Sequence, residues 1–157
     1  MKKLLVLCII ALGIAACGGG DKDDKKETTT PTSSTEENEN PSYDPKRGAG
    51  KFTKVDVSPT LEVAKADAGE KVYSVKCGAC HKLTQEKLVG PGWKNITGRH
   101  TAEWIMNFAT NPDEMLNKDP KAQAMLEICL VRMPNQNLSD DDARNVYEFM
   151  RKNDGVK

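Results

Sequence analysis

The chain of 157 residues has room for one domain with flanking sequence, and its 23 basic side chains are balanced by 23 acidic ones. Zero net charge offers no electrostatic footprint for nucleic acid. That average conceals three unlike regions in succession.

Residues 1–17, MKKLLVLCIIALGIAAC, join Lys2 and Lys3 to an apolar run from Leu4 to Ala16, with small residues before Cys17. This is the pattern of a bacterial secretory signal. As a helix the run would rise roughly 20 Å against a hydrocarbon core of about 30 Å, so it is too short to span a membrane. Ile14-Ala15-Ala16-Cys17 resembles the lipobox of bacterial lipoproteins. The resemblance implies that residues 1–16 are removed as a signal peptide and that Cys17 receives the lipid. Several acyl chains on one residue anchor stably where one is marginal, so the expected protein is tethered to a membrane surface without crossing it.

Residues 18–45 are rich in Asp and Glu, carry Lys22, Lys25 and Lys26, and hold no aliphatic side chain larger than proline. Such a segment cannot bury enough apolar surface to offset its ordering entropy. A flexible linker is expected over residues 17–58, with a reach of roughly 35 Å for some forty residues. Lys22-Asp23-Asp24 resembles a signal that sends some Bacteroidota lipoproteins to the outer surface, although a solvated charge run explains it as well. Residues 46–57 turn basic and alternate weakly around Phe52, Val55 and Val57, as a short extended segment lying along the domain would.

The folded domain is expected over residues 59–157 and reads as all-α. A first helix is predicted from Asp67, as cap, to Lys76. The glycine-rich stretch from Cys77 to Arg99 reads as a long loop. Thr101 caps a second helix with Trp104, Ile105 and Phe108 on one side, ending before Pro112; Met115 falls in a short connector. Asp119-Pro120 opens a third helix with Ala122, Met125, Leu126, Cys129 and Leu130 as its apolar face. Ser139 and Asp140 to Asp142 start the last, in which Val146, Phe149 and Met150 are apolar. So small a domain with few large apolar residues often needs a staple, and a large apolar cofactor would supply one.

Of the five cysteines, Cys8 lies in the signal and Cys17 is the expected lipid site, leaving Cys77, Cys80 and Cys129. The stretch KCGACHK places Cys77, Cys80 and His81 together. Zinc would want a fourth ligand and a second pair, and a thioredoxin-like dithiol would want a βαβ setting. Covalent haem attachment remains, because C-x-x-C-H is the c-type signature. The two sulfurs lie about one turn apart, suited to the two vinyl groups, and His81 follows as proximal ligand. Cys129, without a partner, is expected to be a buried, inert thiol rather than an intermolecular one.

At this point the chain resembles the class I cytochromes c over Ala66 to Lys152. Gly69 and Tyr73 with Val146 and Phe149 are similar to the residues through which that family's terminal helices cross. The resemblance implies a fold of about four helices around one covalent haem. Gly90-Pro91 is similar to the pair whose proline carbonyl accepts from the proximal histidine. Met133, in MPNQNL, resembles the family's distal ligand, ahead of Met125 and His100; the latter is expected in a surface loop. Arg99 after Gly98 resembles the arginine that meets a haem propionate. Trp93 and Trp104 either line the haem, donate to a propionate, or simply pack.

Iron held by His81 and Met133 has no open position, which suits one-electron transfer rather than catalysis. Lys76, Lys82, Lys87 and Lys94 could ring the exposed haem edge and steer an acidic partner. The expectation is a membrane-anchored, monomeric shuttle on the periplasmic side, between a quinol-oxidising complex and a terminal reductase or oxidase. EWIMNF, NPDEM and MPNQNL resemble cytochromes that accompany nitrous oxide reductase in Bacteroidota, which makes that reductase the first candidate acceptor. Two alternatives stand beside it: a gas sensor, scavenger or peroxidase-like protein with a labile distal ligand, and a fixed haem subunit of a larger respiratory complex.

Overall fold

A computed structural model describes residues 43–157, and the regular elements among them are all helical. The expected secretory signal, the expected lipid site Cys17 and the part of the expected linker up to residue 42 lie outside the described residues. No helix among those described is long and apolar enough to cross a membrane.

Helix α1, Val63–Val72, widens at its end into a π-helical turn, Tyr73–Cys77. It begins a turn earlier than the expected cap, Asp67, which instead lies within it. The side chain of Glu62, which precedes the helix, does not cap it. The Glu62 N–H donates to Glu148 Oε1 at 2.8 Å, so a carboxylate from the last helix does the capping. That helix, α6, Asp140–Asn153, starts where expected, with Ser139 accepting from the Asp142 N–H at 3.0 Å.

Helices α1 and α6 cross at Gly69. A Cβ there would lie 2.0 Å from the Asn145 carbonyl oxygen and 2.9 Å from the Phe149 Cβ, so only glycine admits this approach. Tyr73 and Phe149 meet beside the crossing, ring centroids 5.3 Å apart. Beneath it the fully buried Glu148 pairs with Arg144 and Arg151, each at 2.6 Å. A buried carboxylate survives only with such partners.

The stretch expected as one loop between Cys77 and Arg99 contains a helical turn, α2, Ile96–Arg99. Asp154, just past α6, accepts from the N–H groups of Asn95 (2.6 Å) and Thr97 (2.9 Å), a tertiary cap that no local pattern announces. Helix α3, Ala102–Thr110, is capped by Thr101 as expected.

Pro112 ends nothing alone: it is the first residue of a further helix, α4, Pro112–Lys118, with Asn111 capping. Met115, expected in a connector, is therefore helical and fully buried. Helix α5, Pro120–Cys129, is capped by Asp119, and Leu130 leaves it at φ 59°. Leu130 consequently turns outward and is 83% exposed, not part of the inner face.

Residues 43–58, expected to belong to the flexible linker, are instead tied to the helices. Asn107 donates to the carbonyls of Arg47 (2.9 Å) and Phe52 (3.0 Å) and accepts from the Phe52 N–H. Gly50 lets this happen, since a Cβ would lie 2.4 Å from Asn107 Oδ1. The Ala49 N–H meets Met115 Sδ at 3.1 Å, Tyr43 Oη donates to Asp119, and Arg151 reaches the Ser58 carbonyl. Residues 43–58 are thus strapped to the helices.

Candidate cofactor site

The motif 77–81 folds as one tight turn following the π-helical residues. The Cys77 carbonyl accepts from the N–H groups of both Cys80 and His81 at 3.0 Å, and Gly78 N–H returns to the Tyr73 carbonyl at 2.8 Å. Cys77, Cys80 and His81 all face the same cavity of about 390 Å³. That volume lies within the roughly 300–1,000 Å³ of pockets that enclose a small molecule or cofactor.

His81 is held on three sides. Its Nδ1 lies 2.9 Å from the Pro91 carbonyl, which fixes the proton there and leaves Nε2 with a lone pair. Gly90 packs flat on the ring, where a Cβ would come within 2.3 Å of Cε1. Tyr73 Oη donates to the His81 carbonyl at 2.6 Å, and Trp93 lies 5.4 Å away, centroid to centroid. Burial pushes the His81 pKa down while the Pro91 carbonyl acts the other way. Burial also pushes the Cys77 thiol up to about 11, with Lys76 partly opposing it, so the sulfur stays protonated.

Met133 lines the cavity from the irregular segment between α5 and α6, which Pro134 follows. Lys76 Nζ pins this segment by donating to the Gln136 carbonyl at 2.9 Å, and Lys87 Nζ reaches the last turn of α5 at the Ile128 carbonyl, 3.1 Å away. Of the other methionines, Met125 and Met150 also line the cavity, while Met115 has its sulfur engaged by Ala49. Most of the remaining wall is apolar, including Ile105, Phe108, Leu116, Leu126, Leu138 and Val146, with Arg99, His100, Arg132 and Gln136 as its polar members.

Several expected residues stand differently from their sequence reading. Arg99 lines the cavity, but its Nε and Nη2 donate to the carbonyls of Asn95 and Gly92. Trp104 lines it too, yet its indole N–H goes to Asp119 Oδ2 at 3.0 Å and is not offered to a propionate. Trp93 is 5% exposed and packs on Tyr73. Cys129 is half-buried on the cavity wall, not sealed in a core, because α5 turns its 122-125-126-129 face inward. His100, expected on the surface, stacks on Trp104 and reaches the cavity. Of the lysines expected around the haem edge, Lys82 pairs with Glu86 at 2.6 Å, while Lys76 and Lys87 donate to backbone carbonyls.

An apolar cavity with two thiols, an imidazole lone pair and a thioether on its walls fits a porphyrin whose iron takes nitrogen and sulfur. The helical fold and this wall define the class: a small haem-binding domain. The cytochrome c family profile matches residues 66–154, and the chain belongs to that family. The cytochrome c of Rhodothermus marinus has the same fold, with a TM-score of 0.65 and 28% identity over 67% of this chain and 90% of that one. An engineered cytochrome c from the same organism gives a TM-score of 0.67 at 28% identity, covering 71% of this chain and 98% of the other. A cytochrome c-type cyt cy of Rhodobacter capsulatus is 40% identical over 48 residues, 31% of this chain and 24% of its own length. The matched stretch thus spans about a quarter of that relative. Membership of that family implies covalently bound haem c and electron transfer as the chemistry of the domain.

Proposed function

We propose that Cys77 and Cys80 carry the haem through thioethers, with His81 Nε2 and Met133 Sδ as axial ligands, in a membrane-anchored single-electron shuttle. The haem supplies one-electron Fe(III)/Fe(II) chemistry. The chain's part is to fix the proximal ring, exclude water with an apolar wall and hold a soft sulfur on the distal side, which raises the reduction potential. The observation that carries the reading is the His81 Nδ1 to Pro91 carbonyl contact at 2.9 Å, because it aims Nε2 at the cavity. The test is the far-red methionine-to-iron band of the oxidised protein. It should vanish in Met133→Ala and persist in Met125→Ala; persistence in Met133→Ala would move the ligand to another residue.

The wider role follows the sequence: lipid on Cys17, a tether on the periplasmic side, and electrons taken from a quinol-oxidising complex. A tether raises the effective concentration of neighbouring membrane partners. Nitrous oxide reductase is the first candidate acceptor and a terminal oxidase the second. Stopped-flow oxidation of the reduced protein by each purified acceptor distinguishes them, and Cys17→Ser should move the protein from membrane to soluble fraction.

A further inference from the structure

His100 has a feature that electron transfer as described leaves unused. Its Nδ1 is buried and, among the described residues, is the buried side-chain polar atom that lacks a hydrogen-bond partner. The plane of the ring is set by its neighbours. It stacks on Trp104 at 3.9 Å and 17°, Trp104 in turn lies parallel to Phe108 at 5.3 Å, and the indole is tied to the fully buried Asp119. An unpaired buried donor costs about as much as a lost hydrogen bond, so a partner is to be sought in the cavity that His100 lines.

A porphyrin with its iron ligated by His81 and Met133 and its vinyl groups on Cys77 and Cys80 retains one kind of hydrogen-bond acceptor, the two propionates. We infer that His100 is a positioning residue for the haem, its Nδ1–H donating to a propionate from a ring clamped against Trp104. The inference rests on the haem reading above. It assigns to His100 the contact that the sequence had suggested for the indole N–H of Trp104. Burial first, and then the cations of Arg99 and Lys121 against the weaker pull of Asp119, push the imidazole pKa down to about 4. The chain's own groups thus favour the neutral ring, which carries one proton to give. A propionate without its donor leaves an unbalanced negative charge near the iron, which favours the ferric state.

The test compares midpoint potentials of haem-loaded, full-length variants. His100→Asn puts an amide nitrogen near the position of Nδ1, His100→Gln puts one near Nε2, and His100→Leu keeps bulk without a donor. The expected pattern is a potential lowered in Leu and Gln and held near native in Asn. Equal potentials in all four proteins would overturn the inference, a buried water being the partner. An equal fall in all three variants would overturn it too, reducing the ring to packing. Should Leu fail to load haem, the Asn and Gln pair decides alone. Failure of the haem reading itself is separate, because the native protein would then show no thioether-linked haem in its pyridine haemochrome spectrum.

Discussion

Gly90→Ala probes the proximal side with a single methyl group. The added Cβ would lie 2.3 Å from His81 Cε1 and 2.8 Å from each ring nitrogen, whereas ordinary contact starts at 3.4 Å. The imidazole must retreat by roughly 1 Å, which breaks its 2.9 Å contact with the Pro91 carbonyl. Overpacking costs about 1–3 kcal/mol and the lost hydrogen bond about 0.5–1.5 kcal/mol. A loss of about 2–4 kcal/mol lowers Tm by roughly 8–16 °C at about 4 °C per kcal/mol. Because the carbonyl also raises the basicity of the ring, the midpoint potential should rise. Thermal circular dichroism and a redox titration of the loaded protein measure both. A variant with native Tm and native potential would refute the claim that Gly90 and Pro91 hold His81.

Glycine elsewhere gives contrasting outcomes. Gly69→Ala should lose about 3 kcal/mol or more in a denaturant titration, because the Cβ meets the Asn145 backbone at 2.0 Å. Gly78→Ala should be neutral to slightly stabilising, by about 0.4–1 kcal/mol, since its φ of −63° suits any residue and its nearest new contact is 3.4 Å. Asp119→Asn cannot serve the Ala122 N–H, Trp104 N–H and Tyr43 hydroxyl at once. Each buried donor left over costs about 1–3 kcal/mol, read as a lowered unfolding midpoint. Burial, then the bond to Asp119, raises the Tyr43 pKa above its ordinary 10.0. Its contribution to stability is complete below pH 10 and is lost as pH climbs through the raised value. Tyr43→Phe should flatten that part of an alkaline unfolding curve.

What the sequence disclosed and what it hid divide along the range of the interactions. Cys77, Cys80, His81, Gly90 and Pro91 lie within fifteen residues, and their arrangement is set by turn hydrogen bonds that a local pattern can express. Thr101, Asp119 and Ser139 cap the helices they precede for the same reason. The start of α1 is not legible locally because the amide of Glu62, just before it, is served by Glu148, from the far end of the chain. Helix α4 was missed because Pro112 reads equally as a terminator and as a first helical residue. The strap over residues 43–58 depends on Asn107, Asp119 and Arg151, none of which is near it in sequence. His100 was placed on the surface because only the stack on Trp104 turns it inward.

The core explains why such a domain uses a covalent cofactor. Many of its buried apolar side chains are alanines, namely Ala49, Ala66, Ala102, Ala122 and Ala143, which bury little surface apiece. Of the larger ones, Trp93, Trp104, Ile105, Leu116, Val146 and Met150 form part of the cavity wall, so the cavity interrupts the core among its large side chains. Helix α5 makes the point most sharply. Its inner residues Met125, Leu126 and Cys129 face the cavity, and among the other helices it packs chiefly on α4. A porphyrin between α5 and the motif at residues 77–81 would bury both faces at about 25 cal/mol per Å² of apolar surface. Thioether bonds keep that surface in place across every oxidation and reduction, so the group that carries the electron also completes the core that holds it.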